Sequence, residues 1–362
     1  MTDRRYDLHG LVEVVLADNL RPQIVREIEF QIGSFRSDTP VLEVPRIDVR
    51  PYAARPIFPL GNGEPTFYNL KGTAGFALRD EEARYAVVRS ERGYTLYADY
   101  ASFLINLYVQ LLIAPQGYTM VHGAAYESSA GGVNLLAGAG GIGKTAVLGY
   151  AVRERGLRHL GDDVVIVGQT GRCLAFPRAF VLKSYHREGY AETFQRLKLR
   201  RHNFYGLKRI FIENAPFMGL AKRWLRRSGI YYTVADWLRP QPFLATVSPE
   251  DLFGRDSMAS SGELRRIAYL DRVEGGRFAK QEIRPEALVN RLFAVIHYEW
   301  KDFLTHLVSL GALDIVDLPS YCEQVNGALR RAVAGREIMQ LCVPVEATPP
   351  QLIDFLDRNG FF

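Results

Sequence analysis

The first hundred residues alternate between hydrophobic and polar positions over short stretches. Residues 11–16 (Leu-Val-Glu-Val-Val-Leu) and 85–90 (Tyr-Ala-Val-Val-Arg-Ser) follow this period of two, and turn-forming clusters such as residues 61–65 separate the stretches. Alternation bounded by Gly, Pro and Asn is typical of half-buried β-strands. The pattern therefore predicts a β-rich region over residues 6–97, which we assign to an N-terminal domain of residues 1–98.

The hydrophobic pattern changes after this region. Apolar residues recur at helical spacing over residues 99–113, which predicts a connecting helix. Residues 117–273 indicate strands alternating with helices, the arrangement of an α/β core. Residues 285–336 predict mostly helix, and residues 337–343 predict one last strand. We therefore expect an α/β protein whose second domain, residues 99–362, has a mixed-sheet core and a helical C-terminal part.

The composition is that of an ordinary soluble globular protein. The 362 residues are 48% hydrophobic and 23% charged, with a net charge of +5, and this length suits one large domain or two. Three widely spaced cysteines predict neither a disulfide framework nor a Cys-x-x-Cys metal site. The early acidic residues do not suit a secretory signal, and the longest apolar run, residues 103–114, is too short to span a bilayer. We expect a cytoplasmic protein.

One segment carries a specific chemical signal. Residues 138–145 (Gly-Ala-Gly-Gly-Ile-Gly-Lys-Thr) match G-x-x-x-x-G-K-[ST], the Walker A or phosphate-binding loop. A short apolar stretch, residues 133–136, predicts a strand before it, and residues 145–152 predict a helix after it. The glycines let backbone N–H groups turn toward one anion, and the start of the helix adds its dipole. The segment predicts nucleoside triphosphate binding, with a ligand-free glycine-rich turn as the minor alternative.

The motif assigns roles by position. Lys144 reaches the β- and γ-phosphates, and Thr145 offers its hydroxyl to Mg²⁺. ATP and Mg²⁺ are accordingly the predicted cofactors. The predicted nucleotide-binding residues are Gly138, Ala139, Gly140, Gly141, Ile142, Gly143, Lys144, Thr145 and Ala146.

Two carboxylates follow the loop at a short distance. Asp162 and Asp163 stand 17 and 18 residues after Thr145, which leaves room for one helix and a return turn. Adjacent carboxylates on an extended segment point to opposite faces, so one can face Mg²⁺ and the other an incoming hydroxyl. A helix cap or turn is the structural alternative for an Asp-Asp pair. The nearby phosphate loop favours the catalytic interpretation.

A histidine precedes the loop. His122 lies on a strand-like segment, residues 120–126, just before a Ser-Ser-Ala-Gly-Gly turn at residues 128–132. Pairing of this hairpin would bring His122 toward the end of the phosphate loop. A buried core histidine is an equally good interpretation. The adjacent Gly123 predicts a close backbone approach under either one.

Together these residues resemble HPr kinase/phosphorylase and the wider group of HPr-kinase-like enzymes, relatives of phosphoenolpyruvate carboxykinase. The shared order over residues 122–167 is a His-Gly segment, a hairpin, the phosphate loop, one helix, a glycine and two aspartates. The resemblance implies that Asp163 takes the proton from a substrate serine hydroxyl. It also implies that Lys144 and Thr145 handle the phosphates and the metal, and that His122 is an active-site residue. Asp162 is then the second predicted metal ligand.

The chain departs from this family after the shared block. The family's Glu-Arg-Gly segment supplies a second metal ligand, and here only Glu188 is comparable, with a solvated loop carboxylate as the simpler interpretation. Residues 184–240 form an arginine-rich insert. A solvated helical surface is the plainest interpretation of this insert, and a lid or a dock for an acidic peptide is the functional one. Nucleic acid binding is the least favoured.

The sequence thus predicts an ATP- and Mg²⁺-dependent kinase with an HPr-kinase-like P-loop core. We expect transfer of the γ-phosphate to a hydroxyl, with a serine of a protein or peptide, such as a natural-product precursor peptide, as the leading acceptor. A small-molecule kinase and a non-transferring P-loop NTPase switch that signals through the N-terminal region are the alternatives. Neither a membrane span nor a nucleic acid partner is expected, and a homo-oligomer is left open.

Overall fold

The computed structural model describes residues 3–54, 69–70, 73–79, 84–98, 105–182, 190, 195 and 245–362. The described residues form mixed β-sheets and eight α-helices, which confirms the predicted α/β class. The chain divides into two compact units, Met1–Ala179 with Ser248–Phe362 and Phe180–Val247. The predicted boundary at residues 98 and 99 stays a prediction. Glu188 and, apart from Tyr190 and Gln195, the arginine-rich insert lie outside the described residues.

The N-terminal region contains a sheet of eight described strands, as the alternating pattern predicts. Their order is β3-β1-β2-β4-β8-β7-β6-β5, and β2, β4 and β8 pair in parallel. The strands are β1 (Arg4–Leu8), β2 (Val12–Leu16), β3 (Arg36–Ser37), β4 (Arg46–Pro51), β5 (Asn69–Leu70), β6 (Thr73–Arg79), β7 (Arg84–Ser90) and β8 (Gly93–Ala98).

One helix in this region was not predicted. Helix α1 (Pro22–Ile32) begins with a proline in its first turn and buries Ile24, Val25, Ile28 and Ile32. This spacing of three and four residues is the helical period, and proline is favoured at the first helical position. The sequence therefore contains the signal for this helix, but we assigned the whole region to strands because hydrophobic and polar residues alternate on either side of it.

The second sheet has nine described strands and carries the phosphate-loop segment. Its order is β12-β10-β11-β17-β14-β13-β9, and β19 joins it by pairing with β17 and β18. Strands β11, β17 and β19 are parallel. The bounds are β9 (Tyr118–Val121), β10 (Gly123–Glu127), β11 (Val133–Ala137), β12 (His159–Gly161), β13 (Val165–Gly168), β14 (Arg172–Leu174), β17 (Ser261–Val273), β18 (Ala279–Gln281) and β19 (Glu337–Pro344); β15 (Phe180–Leu182) and β16 (Ala245–Val247) pair separately.

The remaining helices largely follow the sequence predictions. The connecting helix is present as α2, and three helices occupy the C-terminal region that was predicted to be helical, before strand β19. Among the described residues, no helix is both long and apolar enough to cross a membrane. The helices are α2 (Ile105–Ile113), α3 (Lys144–Arg153), α4 (Pro249–Phe253), α5 (Pro285–Glu299), α6 (Lys301–Ala312), α7 (Leu318–Val333) and α8 (Pro349–Arg358).

Helix α8 was missed although the sequence marks its start. Thr348 and Gln351 form a capping box, in which each side chain bonds the backbone N–H of the other, and Pro349 opens the helix. Within the first unit, the hydrophobic core is continuous from the N-terminal sheet, through α2, to the second sheet. No Pro- or Ser-rich linker separates the two regions in the sequence, and the continuous core agrees with this.

His159 in β12 gives a prediction about stability and pH. The side chain is 1% exposed, and burial lowers the pKa of His159 to about 4. In the unfolded chain the pKa of the ring is about 6.5. Between these two pKa values only the unfolded state binds the proton, so the free energy of unfolding falls as the pH falls. Between about pH 7 and pH 4.5, we expect the free energy of unfolding to fall by about 2–3 kcal/mol more in the parent than in a His159→Leu variant. Urea denaturation at both pH values measures this, and equal falls would contradict it.

Candidate active site

The phosphate-loop segment has the strand–loop–helix setting that the motif requires. Strand β11 is buried at all five positions and lies between β10 and β17. Gly138, Gly141 and Gly143 in the loop have positive φ, at 143°, 76° and 104°. A Cβ on Gly138 would lie 2.5 Å from the carbonyl oxygen of Leu270, so both backbone conformation and space require glycine there. The loop is therefore shaped by its glycines and held against β17.

Helix α3 begins directly at the end of the loop. Its N-cap residue, Gly143, provides no side-chain cap for the N–H groups of the first turn. Such N–H groups, together with the positive end of the helix dipole, form a site for an anion. The local geometry therefore suits phosphate, as the sequence predicts, although binding itself stays a prediction.

Lys144 is the buried cation of the loop. Its side chain is 6% exposed, and its Nζ donates to the carbonyl oxygens of Gly138 (2.6 Å) and Ala139 (2.8 Å). Burial lowers the pKa of Lys144, and the carboxylates of Asp162 and Asp163 act in the opposite direction. The backbone of the loop thus accepts hydrogen bonds from its own lysine, which lies along it.

The β10–β11 hairpin brings His122 beside the loop, as predicted. Gly123 pairs with Ala137 at the end of β11, and His122 precedes Gly123. A Cβ on Gly123 would lie 2.7 Å from a backbone oxygen of β11, so the predicted close approach is present. The Nε2 atom of the buried His122 lies 3.2 Å from Nζ of Lys144. The structure therefore brings these two predicted residues together.

Asp162 lies on the Thr145 side of the site. The hydroxyl of Thr145 donates to Oδ2 of Asp162 at 2.7 Å. Burial raises the pKa of Asp162 to about 6, although the hydrogen bond from Thr145 acts to lower it. The two predicted metal ligands are thus in direct contact.

Asp163 contacts different side chains from Asp162, through a backbone turn that the sequence did not predict. We expected the pair on an extended segment, but both residues lie in the bend between β12 and β13, and Asp163 has a φ of 74°. Asp and Asn adopt this left-handed conformation more readily than most residues. Asp163 Oδ1 lies 3.2 Å from Nδ1 of His122. The carboxylates therefore diverge because of a backbone turn, and strand alternation plays no part.

Arg178 is a site residue that sequence analysis missed. It lies between β14 and β15, and its Nη1 forms a close ion pair with Oδ2 of Asp163. Burial alone would raise the pKa of Asp163, but the Arg178 guanidinium and His122 outweigh it and hold that pKa well below its usual range. The guanidinium carbon also lies 5.6 Å from the centre of the Phe30 ring. No spaced motif marks Arg178, since its role depends on the tertiary fold.

Two further side chains contact the loop and were also missed. Oε1 of Glu299, at the end of α5, accepts a hydrogen bond of 2.6 Å from the backbone N–H of Gly140. Arg272, near the end of β17, donates to the carbonyl oxygen of Gly141 at 2.9 Å. The loop is therefore flanked by one anion and one cation from elements distant in sequence.

The donor set near Thr145 fits Mg²⁺ in composition. Thr145 and Asp162 offer hard oxygen ligands, which this ion prefers, and Mg²⁺ commonly combines one or two carboxylates with substrate phosphates and water. Across the part of the chain that the structure describes, no group of three or more His, Cys, Asp or Glu residues could hold a metal ion. Phosphate and water could supply further ligands to an ion held by Thr145 and Asp162.

Among solved structures, the chain is similar to the Hpr(Ser) kinase/phosphatase from Coxiella burnetii. The match has 9% sequence identity, covers 67% of this chain and 95% of that chain, and has a TM-score of 0.28. These values describe a distant structural likeness and no more. No family model matches the sequence, and no curated protein matches it significantly.

Proposed function

We propose that this chain is an ATP- and Mg²⁺-dependent kinase that transfers the γ-phosphate to a hydroxyl group. The observation that carries the proposal is that two adjacent carboxylates contact different partners. Asp162 is bonded to the Thr145 hydroxyl, whereas Asp163 faces His122, which itself contacts Lys144. This difference supports a metal role for Asp162 and an acceptor role for Asp163, beside the same phosphate loop.

The nucleotide would bind at the loop and the start of α3. Lys144 would exchange the carbonyl oxygens of Gly138 and Ala139 for oxygens of the β- and γ-phosphates. An exchange of neutral acceptors for charged ones strengthens the hydrogen bonds of an ammonium group. Thr145 and Asp162 would hold Mg²⁺, which when bound neutralises charge on the phosphates.

Asp163 would act on the acceptor. As the acceptor oxygen forms its bond to the γ-phosphorus, the bond from that phosphorus to the β–γ bridging oxygen breaks, and ADP leaves with the electron pair. The proton of the acceptor hydroxyl passes to the Asp163 carboxylate. His122 lies within 3.2 Å of both Asp163 and Lys144, so it can hold the two groups in a fixed relation.

The expected acceptor is a serine of a protein or peptide, on the basis of the sequence resemblance over residues 122–167. A small-molecule hydroxyl is the alternative acceptor. Incubation of the chain with γ-labelled ATP and a lysate of the source organism, followed by mass-spectrometric identification of the labelled species, separates the two. Label on a seryl peptide supports the leading acceptor, and label on a metabolite supports the alternative.

A non-transferring NTPase switch is the second candidate, and one observation favours it. The ion pair between Arg178 and Asp163 neutralises the carboxylate that would receive the proton. If that pair persists with nucleotide bound, the γ-phosphate would pass slowly to water. Release of inorganic phosphate with no labelled acceptor in the same lysate experiment would favour the switch and exclude the kinase.

Asp162→Asn tests the metal assignment. Because a neutral amide is a weaker ligand than a carboxylate, we expect the Mg²⁺ concentration for half-maximal transfer to rise roughly 10- to 100-fold, with partial rescue at high Mg²⁺. Titration of transfer against Mg²⁺ measures this effect. Asp354→Asn, on the exposed side of α8, makes the same chemical change away from the loop and should leave the titration unchanged. An unchanged titration for Asp162→Asn would assign the residue a structural role.

A further inference from the structure

Glu299 occupies a backbone donor of the phosphate loop. It is the last residue of α5, followed by Trp300, whose φ of −105° and ψ of 68° separate α5 from α6. Its Oε1 accepts from the Gly140 N–H at 2.6 Å, and a Cβ on Gly140 would lie 3.1 Å from its Oε2. Both carboxylate oxygens therefore lie against the loop.

A carboxylate at this position resembles a bound phosphate oxygen in its chemistry. Both are anionic acceptors, and a backbone N–H donates strongly to either. The negative charge of Glu299 also attracts Lys144 and opposes the lowering of its pKa by burial. The Gly140 N–H and Lys144, which the motif assigns to phosphate, thus already interact with an anion of the chain itself.

We propose that Glu299 competes with the nucleotide phosphates for the Gly140 N–H and so sets the affinity of the loop for its ligand. This inference rests on the proposed function, because it takes a nucleotide as the ligand. Glu299 is partly exposed, so its side chain can rotate toward solvent while α5 stays in place. A triphosphate that enters the loop must either displace the carboxylate or remain next to a like charge, and both weaken binding.

The test compares ATP–Mg²⁺ binding by calorimetry in the parent, Glu299→Gln and Glu286→Gln. Glutamine keeps the shape of the glutamate side chain but lacks its charge, so we expect the dissociation constant of Glu299→Gln to fall roughly tenfold. Glu286, in the exposed first turn of the same helix, gives the same change of charge far from the loop and should leave the constant unaltered. Equal affinities for all three proteins, or weaker binding by Glu299→Gln, would overturn the inference; the latter would make Glu299 a ligand of the metal or nucleotide.

Glu299→Ala provides a second variant that removes the contact entirely. We expect its affinity for ATP–Mg²⁺ to match or exceed that of Glu299→Gln, with thermal unfolding to verify that both are folded. A parent chain that binds ATP–Mg²⁺ with no gain in either variant disproves only the role of Glu299. The absence of binding in the parent and in both variants removes the proposed function itself. Binding by the variants alone would support strong competition.

Discussion

Replacement of Asp163 by asparagine is expected to reduce phosphoryl transfer by roughly 10²- to 10⁴-fold, the usual contribution of a positioned general base. The amide has almost the same size as the carboxylate, but it cannot take the proton of the acceptor hydroxyl. ATP binding should stay close to that of the parent, since the loop and Lys144 are unchanged. Single-turnover transfer from γ-labelled ATP measures the first effect, and calorimetry measures the second.

The Asp163 variant also breaks an ion pair, so it needs a control that does the same elsewhere. Asp357 on α8 pairs with Arg155 at 2.5 Å on the surface, and Asp357→Asn removes that pair without approaching the loop. We expect this control to transfer phosphate at the parent rate. If Asp163→Asn also transfers at the parent rate, the residue is structural, and its assignment as the general base fails. If both activity and ATP affinity collapse, Asp163 shapes the loop and is not a base.

The sequence predicts the local parts of the site because the signals for them are local. The loop between β11 and α3 is contained in one spaced motif, and hairpin pairing alone was enough to place His122 beside it. We expected strand alternation to separate the two aspartates, but the left-handed backbone of Asp163 separates them, and no sequence pattern indicates it. The direction of the Asp163 side chain depends on the bend between β12 and β13.

The parts of the site that the sequence did not predict come from elements that meet only in the folded chain. Arg178 reaches Asp163 from 15 residues away, and Glu299 reaches Gly140 from 159 residues away. Strand β17 lies beside β11 and supports the loop through Leu270, but its own sequence indicates only a long strand. Strand pairing over such distances depends on the packing of the whole unit, which hydrophobic periodicity does not encode.

Lys144→Ala is expected to weaken ATP–Mg²⁺ binding at least about 100-fold, because the variant loses the charge-assisted hydrogen bonds of a buried ammonium group. The structure adds a consequence for stability that the motif alone does not predict. Nζ of Lys144 bonds the carbonyl oxygens of Gly138 and Ala139, so the variant removes the donor from both acceptors. We therefore expect a lower midpoint of thermal unfolding with an unchanged circular dichroism spectrum.

A matched control for this variant lies on the same helix. Arg153→Ala, in the last turn of α3, removes an exposed cation that is remote from the loop. Surface charges contribute little to stability or to binding at a distance, so its ATP affinity should equal that of the parent. Calorimetry on the folded variants decides between outcomes. If Lys144→Ala binds ATP–Mg²⁺ as tightly as Arg153→Ala does, the nucleotide does not bind through this loop. The loop is then only a glycine-rich turn, and the roles assigned to Thr145, Asp162 and Glu299 beside it fail.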